Sequence, residues 1–227
     1  MPITFENLID RCIVRLGQVS GIGTQLITEP QIAALIQDTF DLVWPEAWWL
    51  EYRVRMERTL DAAAGLTTVD INDTTTTPYI SDFNDVHSVW LDDDDDPIPQ
   101  VNTWHNIPVS GTKIMCYEAV NPAGTNAGKL LQFYPITATG TVDIFGRQKP
   151  TDFVSGDTIY LDTLLLQYGV LHSYMEDEAT SPGKTQELQI KFDTRLKQLQ
   201  NMHGAKPTRW SGNKYSSGIL TDWVQIR

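Results

Sequence analysis

Trp44-Pro45-Glu46-Ala47-Trp48-Trp49 separates two periodicities in this chain. On its N-terminal side apolar residues recur every three or four positions, as on one face of a helix. On its C-terminal side, for about a hundred residues, they alternate as on a half-buried strand. From Asp162 the helical spacing returns, and it stops at Gly204. Residues 204–227 match neither pattern. This order predicts an α+β fold: a helical domain built from N- and C-terminal helices, an inserted antiparallel β domain and an extended C-terminal tail. The expected divisions are 1–50 helical, 51–158 β-rich, 159–203 a helical hairpin packing on 1–50, and 204–227 a docking tail.

Just upstream of the dividing segment, Thr28-Glu29-Pro30-Gln31 reads as a capping box that opens a helix, with proline tolerated in the first turn. Ile32, Leu35, Ile36, Phe40 and Val43 form its apolar stripe. Pro45 ends or kinks it, because the residue before a proline avoids the helical region. Trp48 and Trp49 then need cover, either in a seam between helices and sheet or against a partner. Further upstream, Phe5, Leu8, Ile9, Cys12, Ile13 and Leu16 make one stripe of a helix over 4–16. Thr4 is its expected cap and Gly17 its expected end, with a glycine-rich loop over 17–27.

Downstream, Tyr52, Val54, Met56 and Arg58 face one way and Arg53, Arg55, Glu57 and Thr59 the other. Further strands are expected at 66–71, 86–91, 113–119, 129–134 and 141–145, separated by turn-forming clusters. With no helices between them, they argue for an antiparallel sheet, barrel or small sandwich. A strand-like stretch at 158–161 precedes a third helix capped by Asp162, with Leu164, Leu165, Tyr168, Leu171, His172 and Met175 as its buried face. Ser181-Pro182 opens a fourth helix, Leu188, Phe192, Leu196 and Leu199 face inward, and Gly204 closes it. The short link between the last two helices predicts an antiparallel hairpin.

A compact chain of 25.6 kDa buries about 70% of the surface its unfolded form exposes, enough for a core without disulfides or metal. Cys12 and Cys116 are too few for a disulfide framework and read as small buried hydrophobes. No apolar run approaches the ~18 residues of a membrane span, and the N-terminus lacks the pattern of a secretory signal. A soluble protein made in a reducing cytoplasm is expected. The net charge of −12 is uneven. In 204–227, Lys206, Arg209, Lys214 and Arg227 stand against Asp222, giving +3, so the rest carries −15. Such a body repels phosphate and disfavours sequence-independent DNA binding, while suiting a surface that DNA slides past.

Candidate chemistry is sparse. Asp92–Asp96 offers calcium-type oxygens, but without the glycine and terminal glutamate of an EF-hand loop it reads as a solvated turn. His87, His105, His172 and His203 form no zinc-ligand pair, and His172 reads as a hydrogen-bonded core histidine. His203 lies in a helix's last turn, where its charge suits the dipole. Nucleophile elbows and phosphate-cradling loops are absent from the sequence. No catalytic, cofactor-binding or metal-ligating residue is assigned. The tail carries the sharper signal: Arg209, Trp210, Lys214, Tyr215, Leu220 and Trp223 interleave aromatic anchors with cations, as binding hot spots do. Such a tail either docks on a partner or folds back on its own acidic body.

Several stretches together resemble the head-to-tail adaptor proteins of short-tailed bacteriophages, which include tail accessory factors and tubular tail protein A-like proteins. They are Trp44–Trp49 followed by Arg53-Val54-Arg55-Met56-Glu57-Arg58-Thr59-Leu60, Asp82-Phe83-Asn84-Asp85-Val86-His87-Ser88-Val89-Trp90, Leu131-Gln132-Phe133-Tyr134-Pro135 and the helical pair from Asp162. The resemblance implies a structural virion protein, assembled in the host cytoplasm as a homo-oligomeric ring, usually of twelve copies. Its partners would be the portal protein above and a downstream tail (nozzle) protein below, with DNA passing through unread. C-terminal segments would reach into the portal, the role expected of the six tail residues above. Two other readings remain at this stage: a carbohydrate- or receptor-binding virion module using Trp104, and a cell-wall hydrolase using paired carboxylates.

Overall fold

The computed structural model describes residues 2–20, 27–61, 63, 68–91, 97–98, 115–120, 128–134, 140–177 and 182–204. The chain forms two compact units. One joins Met1–Tyr52 to Lys149–Lys206, and Arg53–Gln148 belongs to the other. The fold is α+β, and the strands from Arg53 to Ile159 lie between the N- and C-terminal helices in chain order.

The helical unit holds β1 (Ile3–Thr4), α1 (Phe5–Ser20), α2 (Glu29–Val43), β8 (Thr158–Ile159), α3 (Thr163–Asp177) and α4 (Pro182–His203). The stripe of α1 is buried as its spacing requires: Phe5, Leu8, Ile9, Cys12 and Leu16 all join the core. Thr4 Oγ1 accepts from Asn7 N–H at 3.4 Å. The helix runs through Gly17 to Ser20, correcting the expected end. An internal glycine costs about 1 kcal/mol against alanine, which a buried stripe of this length outweighs. At the start of α2, Gln31 Oε1 accepts from both Thr28 N–H (3.3 Å) and Thr28 Oγ1 (2.8 Å). Both halves of the expected capping box are present, and the Thr28 hydroxyl also donates to the Gln31 side chain.

Helix α3 is the centre of this unit, touching α1, α2 and α4. Leu165, Leu166, Gln167, Gly169, Val170, Leu171, Tyr174 and Met175 are buried, more than one face of a helix. The one-face expectation is corrected accordingly: Leu164 is exposed, and Tyr168 and His172 are half-buried. His172 faces Glu176 at 3.8 Å instead of lying in the core. Asp162 caps the helix, its Oδ1 accepting from Leu165 N–H at 2.9 Å. Its carboxylate is also held by Arg195 Nε (3.1 Å) and Nη2 (2.6 Å) of α4. Burial opposes ionisation of Asp162, but the Arg195 hydrogen bonds, the Leu165 N–H and the Arg195 charge together outweigh it and lower its pKa. Gly169 lets α2 and α4 close on α3: a Cβ there would lie 2.4 Å from Thr39 Cγ2 and 3.1 Å from Phe192 Cε2. The Asp162–Arg195 and Gly169–Phe192 approaches make α3 and α4 antiparallel. Leu188 and Leu199 of α4 are buried, with Phe192 and Leu196 half-buried against the same core. β1 pairs antiparallel with β8; two-residue strands carry no alternation to read in sequence.

The β unit holds two three-stranded antiparallel sheets, ordered β2-β7-β4 and β3-β6-β5. These are β2 (Arg53–Leu60), β3 (Thr68–Asp70), β4 (Val86–Leu91), β5 (Met115–Val120), β6 (Lys129–Tyr134) and β7 (Gly140–Arg147). They share one core, with Met56, Val89 and Ile144 from the first sheet and Val69, Cys116, Leu131 and Phe133 from the second. In β2, Met56 and Leu60 are buried while Arg55, Glu57 and Thr59 are exposed or nearly so, as alternation demands. Cys12 and Cys116 are buried free thiols, and burial pushes the Cys12 pKa up to about 12. None of the described helices is long and apolar enough to cross a membrane.

A buried polar group threads the first sheet. Arg147 is fully buried, and its Nε donates to Asp85 Oδ1 at 2.8 Å. Beside Asp85 in sequence, His87 and Ser88 are buried, with His87 Nδ1 3.2 Å from Ser88 Oγ, which accepts from Trp90 Nε1 at 2.9 Å. Burial, helped by the Arg53 charge, pushes the His87 pKa down to about 4 from 6.5. The unfolded chain therefore takes up a proton that the folded unit refuses as pH falls from 6.5 towards 4, and stability is lost over that window. The expected loss is up to ~3 kcal/mol. Denaturant unfolding across this range measures it, and His87→Gln should flatten that part of the profile. An identical acid slope in the variant would contradict the assignment.

Candidate partner-docking site

Arg209, Trp210, Lys214, Tyr215, Leu220 and Trp223 lie outside the described residues, as do Asp92–Asp96, Trp104 and His105. The described structure gives the mount from which the tail departs, and that mount is the segment that divides the sequence. Helix α2 ends at Val43, and Trp44–Glu46 continue as one 3-10 turn around Pro45. The last carbonyls of a helix lack internal partners. Here the Trp49 indole turns back, and its Nε1 donates to the carbonyls of Val43 and Trp44, each at 3.2 Å. Trp44 and Trp49 belong to the helical core, and Trp48 is buried as well. Neither Trp48 nor Trp49 needs a partner's surface to bury it, and Trp49 is covered within the helical unit. Phe40 stacks on Trp44 at 5.6 Å between ring centroids and meets Phe153 edge-on at 4.9 Å. Tyr52 packs edge-on against Trp44 at 5.4 Å, and its hydroxyl accepts from Tyr160 N–H at 3.2 Å. Burial pushes the Tyr52 pKa up to about 12.

The end of α4 closes onto this segment. Gln200 Nε2 donates to the Glu46 carbonyl at 3.0 Å. Trp48 N–H donates to the Gly204 carbonyl at 3.2 Å. His203 is largely buried; its Nδ1 accepts from Leu50 N–H at 3.4 Å and lies 3.5 Å from Glu51 Oε2, while its ring lies 5.3 Å from that of Trp49. His203 thus sits in the last turn, as expected, and also holds that turn onto residues 49–51. Gly204 has φ +83°, the left-handed conformation that ends helices and redirects the chain. The last described residue of α4 and the first of the exit are therefore fixed from both sides. A single histidine at a helix end gives no sequence signal for such a contact, because its partner lies 153 positions away.

The family model of the SU10 adaptor proteins matches residues 3–214. The chain belongs to the SU10 adaptor protein family. That agrees with the resemblance to phage head-to-tail adaptors and gives the chain an adaptor role as a structural virion protein. No curated protein matches it. The match takes in the whole mount and continues through Arg209, Trp210 and Lys214.

The mount can be tested at its glycine. A Cβ on Gly204 would meet no atom of the described residues within 4 Å, and the backbone conformation opposes a side chain. Gly204→Ala in this SU10 adaptor protein should cost about 1–2 kcal/mol. Thermal unfolding followed by helical circular dichroism measures this; an unchanged midpoint would contradict a fixed left-handed exit.

Proposed function

We propose that this SU10 adaptor protein is a head-to-tail connector, several copies of which form a ring beneath the portal and lead DNA towards the tail. The observation that carries the reading is the mount: α4 ends against 46–51, and Gly204 turns the chain out of the helix. From that anchored point the sequence continues for 23 residues with a net charge of +3, bearing Trp210, Tyr215 and Trp223. A fixed root with an aromatic and cationic extension suits capture of a neighbouring protein, since only the extension must be ordered on binding. Arg209, Trp210, Lys214, Tyr215, Leu220 and Trp223 are the proposed portal contacts. Each such contact is individually weak, and repetition around a ring raises the combined affinity. The net charge of −15 outside the tail suits a conduit wall that does not retain DNA. A downstream tail protein is the partner on the far side.

Deleting 205–227 tests the reading. The truncated chain should keep its circular dichroism and unfolding midpoint and lose capture by the purified portal. Undiminished portal capture by the truncated chain would sink it.

A further inference from the structure

The N-terminal end of α3 meets the middle of α1 in a groove of about 500 Å³. Asp10, Arg11, Val14 and Arg15 line it from α1, and Leu164 and Gln167 from α3. Val14 and Leu164 are exposed apolar side chains, 55% and 38% accessible. Asp162, at the adjoining end of α3, is held by Arg195. Arg11 and Arg15 make no ion pair among the described residues, whereas Lys191 and Arg195 on the facing α4 are paired with Glu187 and Asp162. Gln167 is 2% exposed, and its Oε1 has no hydrogen-bond donor among the described residues. Buried polar atoms are nearly always satisfied, so an orphaned acceptor under a groove marks a surface completed by something else. The helix dipole adds positive character at the same end of α3.

The other end of α3 has the opposite sign. Glu176 and Asp177 form its last turn, both exposed, and the helix has no basic residue there. Carboxylates at a helix C-terminus oppose the dipole, and among the described residues His172 lies 3.8 Å from Glu176. One helix thus carries a groove with two cations at its start and an acidic turn at its end, separated by roughly 20 Å.

We propose that the groove formed by Arg11, Val14, Arg15, Leu164 and Gln167 receives the acidic Glu176-Asp177 turn of a second copy of this chain. The proposal rests on the connector reading and names a contact between copies within it. Two chains of net charge −12 repel at long range, so contact between them needs a local basic patch of this kind. The two surfaces differ, so the contact is heterologous: every copy keeps one half free, and the chain of contacts closes into a ring or continues. Leu164 and Val14 would be covered by the stems of the incoming side chains, and an N–H or O–H of the second copy would reach Gln167.

Sedimentation velocity of the full chain at low salt should show association that rises with concentration and falls with added salt. Arg11→Ala with Arg15→Ala, and separately Glu176→Gln with Asp177→Asn, should each weaken it by about tenfold or more. Mixing the two variants supplies one intact pair of surfaces, so a dimer that cannot grow should form. Circular dichroism of each variant checks the fold. A wild-type chain that stays monomeric, variants that associate as strongly as wild type, or a mixture without dimer would each overturn the proposal. Portal capture is read separately: a chain that binds portal but fails these tests removes the groove and leaves the connector reading standing.

Discussion

The return of the Trp49 indole onto the end of α2 is the constraint from which the helical unit is organised. Two carbonyls left over by the helix find their donor there. Because the indole must lie under the helix end, the segment 44–49 wraps tightly, and Pro45 makes that wrap compatible with its missing N–H. Residues 46–51 are then presented to the last turn of α4, where Gln200, His203 and Gly204 meet them. One aromatic segment thereby ends one helix, fixes another and sets where the tail leaves.

The elements were legible where one physical pattern acted alone. The stripe of α1, the alternation of β2 and the Asp162 cap each follow from local chemistry, and each stands in the structure as the residues demand. Where several neighbours act at once, sequence spacing under-reads the result. Helix α3 packs against three helices, so its burial exceeds one face and Leu164 turns outward to the groove. Thr39 is buried because Gly169 admits it, a pairing invisible in either helix alone. Gly17 stays helical because the buried stripe beneath it outweighs a local penalty. The mount was legible only in part: the aromatic segment announced itself, while His203 gave no sign that it would close over residues 49–51.

Electrostatics divides the molecule along similar lines. The buried Arg147–Asp85 pair and the half-buried Arg195–Asp162 pair join defined partners. Breaking such a pair costs more than its net worth, so these contacts hold positions more than they add stability. Arg11 and Arg15, beside the apolar groove, make no ion pair among the described residues, and the sequence of 204–227 carries a net charge of +3. An acidic chain with two separate basic features has two separate places to meet acidic surfaces.

The central claim is that residues beyond Gly204 find their structure in a neighbouring protein. Hydrogen exchange of the full chain, free and bound to its portal, tests it most directly. The account predicts fast exchange at the amides around Trp210, Tyr215 and Trp223 in the free chain and strong protection in the complex, with α4 protected in both. Protection of those tail amides already in the free chain, unchanged by portal, would contradict it.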